Sequence, residues 1–148
     1  MTADIARSTS RLLGIAGLIP FLVPALLAVA GSPNAALAGD IAGAYALAII
    51  CFLTGSWWGM AQPDGGRATL ILSNLYLLLA LSCYLALPTW WPLLAALLLL
   101  GAWACEQSAA LFPDLGPAYR RLRNLLTPIA AASMLVLQFA IPGVVGTA

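Results

Sequence analysis

The chain has 148 residues, of which 63% are hydrophobic and 7% are charged, and its net charge is +1. Soluble globular domains carry about 25% charged residues, so this composition excludes that class and indicates one membrane-embedded domain, residues 1–148. The weak net charge argues against nucleic-acid binding. All basic side chains are arginines, and the absence of histidine removes the commonest metal ligand and general base. We therefore expect no metal site, and composition assigns no cofactor. An enzymatic activity is the less favoured hypothesis and stays open, and it would have to use carboxylates, tyrosines or thiols.

Apolar runs predict an all-α bundle of five transmembrane helices, at residues 12–30, 41–60, 68–87, 93–112 and 125–142. Each run approaches the roughly 20 residues that cross a bilayer. Pro20 and Pro24 predict a kink in the first helix. This run also resembles a signal peptide with a cleavage site at Ala36-Leu37-Ala38, but it exceeds the usual h-region of about 7–15 residues. A retained helix is favoured. A mitochondrial presequence is the weaker alternative, because the polar start is short and contains Asp4.

The second run contains two closely spaced glycines around a pair of tryptophans, in Gly55-Ser56-Trp57-Trp58-Gly59. Such a G-x-x-x-G pattern lets a neighbouring helix backbone approach closely, and the glycines of the first run are expected to pack similarly. Helix packing is thus predicted at Gly14, Gly17, Gly55 and Gly59. Trp57 and Trp58 are typical of the membrane–water interface.

The arginines orient the predicted helices. Two precede the first helix, one lies in the second loop, and three form a basic fourth loop with Arg120, Arg121 and Arg123. The first loop, the third loop and the C-terminus contain none. Because positive residues stay on the cytoplasmic side, the N-terminus is predicted inside and the C-terminus outside.

Several polar side chains are predicted at about 5–10 Å from the cytoplasmic edge, counting about 1.5 Å of rise per residue. This candidate site comprises Ser56, Ser73, Asn74, Glu106 and Gln107, with Trp57, Trp58 and Trp103 as its apolar wall. Glu106 is the only charged residue inside an apolar run, and such residues are functional candidates by default. A structural ion pair with one of the three loop arginines is the alternative. Replacement of Glu106 by leucine is expected to be tolerated if no partner charge is stranded.

Three motifs carry a resemblance to a known family. They are Arg11-Leu12-Leu13-Gly14 with Gly17-Leu18-Ile19-Pro20-Phe21, Phe52-Leu53-Thr54-Gly55 with Trp58-Gly59, and Tyr119-Arg120-Arg121-Leu122-Arg123. The chain resembles the transmembrane protein 69-like family, small membrane proteins of bacteria and mitochondria. A Gly-Gly pair is usual in that family where this chain has Thr54-Gly55. The family has no known function, so the resemblance implies membrane location and a helical fold without an activity.

Two functional hypotheses follow. The first is a non-catalytic subunit, assembly factor or scaffold of a membrane complex, with lipid and another membrane protein or a second copy as partners. The second is binding or translocation of a small molecule, a lipid or a proton at a cytoplasmic-side pocket around Glu106. The expected location is the bacterial inner membrane, with the mitochondrial inner membrane as the second choice.

Overall fold

The computed structural model describes residues 9, 11–61, 66–108, 111–112 and 115–141. Within these residues the regular structure is helical and contains no strand. Five helices are long and apolar enough to cross a membrane, which confirms the predicted all-α architecture. They are α1 (Arg11–Val29), α2 (Ala35–Ala61), α3 (Arg67–Ala86), α4 (Trp91–Glu106, after a 3-10 turn at Pro88–Trp90) and α5 (Pro117–Ala140).

The helix ends differ from the predicted spans in two places that matter for the site. α4 ends at Glu106 rather than at residue 112, and α5 begins at Pro117 rather than at residue 125. Proline is favoured at the first helical position because its missing N–H has no partner there. A helix can also continue past the apolar run, since its backbone hydrogen bonds do not require lipid. Glu106 is therefore a helix C-terminus, and Arg120, Arg121 and Arg123 lie on a helix rather than in a loop.

The start of α2 also differs from the prediction. The helix begins at Ala35, so residues 35–40, which were predicted to be loop, form its first turns. The signal-peptide alternative placed a cleavage site within these turns. The second predicted loop, between residues 60 and 68, falls mainly on residues 62–65, which lie outside the described residues. In α1 the helix is interrupted at Gly17 and Leu18, and Pro20 is the second residue of the helical segment that follows, whereas Pro24 lies within continuous helix.

Small side chains allow the helices to pack closely. The buried core contains many alanines, of which Ala42, Ala46, Ala95, Ala96 and Ala102 are at most 1% exposed. Close packing of small residues is a main source of helix association in lipid, where no hydrophobic driving force acts between helices. Most of the large hydrophobic side chains that are exposed belong to leucine, isoleucine or valine, as expected for a surface that faces lipid.

The packed G-x-x-x-G motif is not the predicted one. A Cβ atom built on Gly55 or Gly59 would meet nothing within 4 Å among the residues that the structure describes. At Gly43 the same atom would lie 3.1 Å from Trp91 Cδ1, and at Gly39 it would lie 2.8 Å from Ile141 Cδ1. Gly39-x-x-x-Gly43 is therefore the motif that brings α2 against its neighbours. It was missed because Gly39 was assigned to a loop.

The two glycines of α1 have different surroundings. A Cβ atom on Gly14 would lie 3.0 Å from Leu126 Cδ1, so this glycine packs against α5 as predicted for a helix contact. Gly17 lies in the interruption of α1, where a Cβ atom would be 3.2 Å from the Gly14 carbonyl oxygen and 3.4 Å from the Tyr45 hydroxyl.

One end of the bundle carries all the described arginines. Glu106 contacts both Trp57 and Arg123, which joins the C-terminal ends of α2 and α4 to the N-terminal end of α5. The Thr69 hydroxyl donates to the Leu111 carbonyl at 3.2 Å and brings the start of α3 to the same end. Together with the α1–α5 contact at Gly14, these bonds bring together the ends that carry Arg11, Arg67, Arg120, Arg121 and Arg123. The side of the membrane on which this arginine-rich end lies stays a prediction.

At the opposite end, Gln138 fixes the start of α4. Its side chain is fully buried, accepts a hydrogen bond from the Leu93 N–H at 3.2 Å and donates to the Thr89 carbonyl at 3.3 Å. The first N–H groups of a helix have no partner within the helix. Gln138 supplies a hydrogen-bond partner for one of these groups, the Leu93 N–H, across the interface between α4 and α5.

Candidate functional site at the arginine-rich end

Glu106 lies at the centre of a buried polar cluster. The residue is 1% exposed, and its Oε1 atom accepts hydrogen bonds from the Trp57 indole N–H at 3.0 Å and the Tyr119 hydroxyl at 3.1 Å. Its Oε2 atom accepts from Arg123 Nε at 2.7 Å. Trp57, Glu106, Tyr119 and Arg123 are called the Glu106 cluster below. Its members come from α2, α4 and α5, so the cluster links three helices.

The Glu106 cluster stabilises a charge that would otherwise be costly in the membrane. A buried carboxylate is tolerated when an opposite charge and further hydrogen bonds satisfy it. Arg123 supplies the charge, while Trp57 and Tyr119 supply the remaining bonds. Of the two hypotheses for Glu106, the geometry matches the structural ion pair, and it selects Arg123 as the partner.

Trp57 is a core residue rather than an interfacial one. It is fully buried, and its ring lies 5.5 Å from Tyr76 at 62° and 5.3 Å from Phe112 at 51°, measured between ring centroids. The tryptophan was predicted at the membrane surface from its position near the end of the run. Its indole N–H instead needs the buried acceptor that Glu106 provides. Trp58, its neighbour in sequence, is 45% exposed.

Arg120 binds the backbone that follows α4. Its Nη1, Nη2 and Nε atoms donate to the carbonyls of Glu106 at 3.0 Å, Phe112 at 3.1 Å and Leu115 at 3.2 Å. The last carbonyls of a helix have no partner within it, and a guanidinium carries five donors in a planar fork. Arg120 therefore holds the connection between α4 and α5. Arg121, next in sequence, is exposed.

A second, partly exposed group of hydrogen bonds joins the same helices. Asn124 Oδ1 accepts from the Trp103 indole N–H at 2.7 Å and from Gln107 Nε2 at 3.3 Å. Gln107 Oε1 also lies 3.4 Å from Arg120 Nη1. Trp103 and Gln107 thus bind α5 at the surface beside the Glu106 cluster rather than forming part of it.

Four predicted site residues lie elsewhere, namely Trp58 and the three polar residues Ser56, Ser73 and Asn74. Ser56 Oγ donates to the Leu53 carbonyl at 2.7 Å, and Ser73 Oγ and Asn74 Nδ2 both donate to the Leu70 carbonyl, at 2.8 and 2.9 Å. Their hydrogen bonds therefore stay within their own helices. Depth in the membrane placed these residues level with Glu106, but direction around the helix axis decides which groups meet.

Ser73 and Asn74 line a separate groove between α2 and α3. Its volume is about 180 Å³, and it is called the α2–α3 groove below. Its lining residues are Cys51, Thr54, Gly55, Trp58, Ser73, Asn74 and Leu77. Glu106 does not line it.

Sequence reasoning missed two residues of the site, Tyr119 and Asn124. Tyr119 and Arg123 are four residues apart, so a helix places them on the same face. This spacing was present in the sequence. The apolar runs, however, place this segment in a loop, where a spacing of four residues does not predict that two side chains share a face.

Two buried polar atoms beside the Glu106 cluster have no hydrogen-bond partner among the described residues. They are Arg123 Nη2 and Thr127 Oγ1, one helical turn apart on α5. An unsatisfied buried group costs about 1–3 kcal/mol. No group of three or more His, Cys, Asp or Glu side chains that could hold a metal ion occurs in the described part of the chain.

The family model described as "Protein of unknown function (DUF3429)" matches residues 6–139. The chain belongs to this family. Every member of the Glu106 cluster lies within the matched region. No solved structure matches the chain.

A relative gives the same assignment. The chain is 35% identical over 134 residues to Transmembrane protein 69 of Xenopus tropicalis. The match covers 82% of this chain and 50% of the relative, so the chain spans about half of that protein's length. The resemblance predicted from the three sequence motifs is therefore confirmed.

Proposed function

We propose that this protein is a non-catalytic component of a membrane complex, acting as a subunit, assembly factor or scaffold in the bacterial inner membrane. The observation that carries this proposal is the burial and hydrogen bonding of the Glu106 carboxylate. Both of its carboxylate oxygens accept bonds from the protein's own side chains, and the residue is almost completely buried. Its burial and the three hydrogen bonds that it already accepts support a structural role over direct ligand binding. Glu106 acts as a structural acceptor that holds three helices together.

The α2–α3 groove is the proposed docking surface for a partner. Gly55 and Gly59 leave open space on α2, and the Asn74 side chain is exposed on the adjacent α3. Small residues allow a second backbone to approach closely, and amide side chains form hydrogen bonds between helices in lipid. Asn74 Nδ2 already bonds to Leu70, so its amide oxygen is the group offered to the partner. The proposed occupant is a transmembrane helix of another membrane protein.

Purification in mild detergent tests the proposal. The full chain should bring down a partner in stoichiometric amount, and Gly55→Leu should reduce that recovery by filling the groove. Ala132→Leu is the matched control, since Ala132 is exposed on α5, away from the groove. If Gly55→Leu and Ala132→Leu recover the partner in equal amounts, the α2–α3 groove is not the docking surface. A wild-type protein that is isolated alone and retains a turnover activity would overturn the non-catalytic assignment.

The alternative, a ligand or proton site at Glu106, has one observation in its favour. Arg123 Nη2 and Thr127 Oγ1 are buried polar atoms whose hydrogen-bonding capacity is unused among the described residues. Glu106→Gln separates the two functions. If Glu106 is structural, this variant should support normal growth of a deletion strain whenever it is folded. A folded variant that binds its partner but fails to complement the deletion would favour the alternative.

A further inference from the structure

A second cavity lies at the end of the bundle opposite the arginines. Its volume is about 370 Å³, within the range of about 300–1,000 Å³ that is common for small-molecule sites. It is called the Asp40 cavity below. It lies between the start of α2, the end of α3, the start of α4 and the end of α5. Leu85, Pro88, Leu137 and Ile141 form much of its apolar wall.

Asp40 places a carboxylate in this apolar wall. Among the described residues it is the only acidic one that lines the cavity, and it lies in the second turn of α2 with its side chain exposed. The described arginines are all at the other end of the bundle, so none of them reaches Asp40. An exposed carboxylate beside an apolar wall, without a described arginine in reach, favours a cation that comes from outside the chain.

Two aromatic rings face the same cavity. Tyr84 and Trp91 both line it, with ring centroids 5.3 Å apart and planes at 80°. The Trp91 indole N–H donates to the Gly43 carbonyl at 2.9 Å, and Trp91 is 3% exposed, so its ring is held in place. Aromatic faces attract ammonium groups through their electron density. The cavity thus combines a carboxylate, two aromatic rings and an apolar wall.

Two glycines border the cavity on the α2 side. Gly39 and Gly43 both line it, and a Cβ atom on Gly39 would lie 2.8 Å from Ile141 Cδ1. A larger side chain at this position would enter the space between α2 and the end of α5. The motif that packs the helices thus also borders the cavity.

We infer that the Asp40 cavity binds a phospholipid with a primary ammonium head group, of the ethanolamine class. The ammonium lies between Asp40 and the ring of Tyr84, the phosphate stays in the hydrated head-group layer, and an acyl chain follows Leu85 and Ile141. Charge complementarity selects the head group, and the apolar wall selects an amphiphile over a free amine. This site is independent of the proposed function, since it shares no residue with the Glu106 cluster or the α2–α3 groove.

Native mass spectrometry of the full chain from bilayer discs containing ethanolamine and glycerol phospholipids tests this inference. The wild type should retain one ethanolamine lipid per chain in preference to the glycerol lipid, and Asp40→Asn should lose that preference. Tyr84→Phe should keep the preference for the ethanolamine lipid, because phenylalanine retains an aromatic face. Tyr84→Leu should weaken this preference. If Asp40→Asn fails to fold, the comparison of the two Tyr84 variants still tests the inference.

Three results would overturn the assignment. One is equal retention of both lipids by the wild type. Another is an unchanged preference in folded Asp40→Asn. The third is displacement of the lipid by free ethanolamine at equal concentration, which would show that the apolar wall contributes nothing and that the ligand is a soluble amine.

Discussion

Arg123 Nε lies 2.7 Å from Glu106 Oε2, and this ion pair joins the last residue of α4 to the second turn of α5. The side chains of Arg123 and Glu106 are 10% and 1% exposed, respectively. Removal of either one leaves the other as an uncompensated buried charge. The expectation that leucine would be tolerated at position 106 depended on no partner charge being stranded, and Arg123 is such a partner.

We predict that Glu106→Leu lowers the free energy of unfolding by about 3–5 kcal/mol, because it leaves Arg123 unpaired. The double variant Glu106→Leu/Arg123→Leu should recover much of this loss, since two apolar side chains can replace a buried ion pair at little cost. Thermal or denaturant unfolding in one detergent gives the four values of the double-mutant cycle. Additive effects of the two single variants would mean that the ion pair contributes no coupling.

Arg120→Ala should destabilise the protein by about 1–3 kcal/mol, because three backbone carbonyls lose a charged donor. Arg120→Lys should restore little, since an ammonium cannot reproduce the planar fork that reaches all three acceptors. Arg121→Ala is the control, as it removes the same charge from an exposed neighbour. Melting temperatures of the three variants provide the comparison. Equal shifts for Arg120→Ala and Arg121→Ala would contradict the backbone role.

Gly101→Ala should be destabilising by about 1–3 kcal/mol, the usual range for overpacking a core. A Cβ atom there would lie 2.7 Å from the Tyr76 hydroxyl, which donates to the Leu98 carbonyl and cannot move without losing that bond. Gly55→Ala should be neutral or stabilising by up to about 1 kcal/mol, because it meets open space and alanine favours helix. Unfolding measurements on the isolated chain test both. A stable Gly101→Ala would show that Tyr76 can be displaced freely.

Cysteine labelling tests the orientation predicted from the arginines. In a background without Cys51, Cys83 and Cys105, single cysteines at Asn34 and Arg121 should react from opposite sides of the membrane. Asn34 lies in the short connection before α2, and Arg121 lies in the second turn of α5. An impermeant thiol reagent applied to intact cells should modify position 34 and leave position 121 unmodified. Labelling of position 121 alone would show that the topology is the reverse of the predicted one.

The sequence by itself determined the class of the protein, its five helices and the segregation of its arginines. These features depend on local quantities: the length of an apolar run relative to the bilayer, and the order of charged segments along an alternating chain. It also identified Glu106 as the residue that most needed a partner, because an ionised group in an apolar run must be compensated.

Only the tertiary structure decided which groups meet Glu106 and which glycines pack. Ser73 and Asn74 share its predicted depth but bond to Leu70 on their own helix, whereas Tyr119 and Arg123 reach it from a segment assigned to a loop. Gly43 contacts Trp91, whereas Gly55 lies in a motif of the same spacing and a Cβ atom built on it meets no described residue within 4 Å. Depth follows from counting residues along one helix. Contact depends on where each helix ends and how it is rotated against its neighbours, and the packing of all five helices sets both.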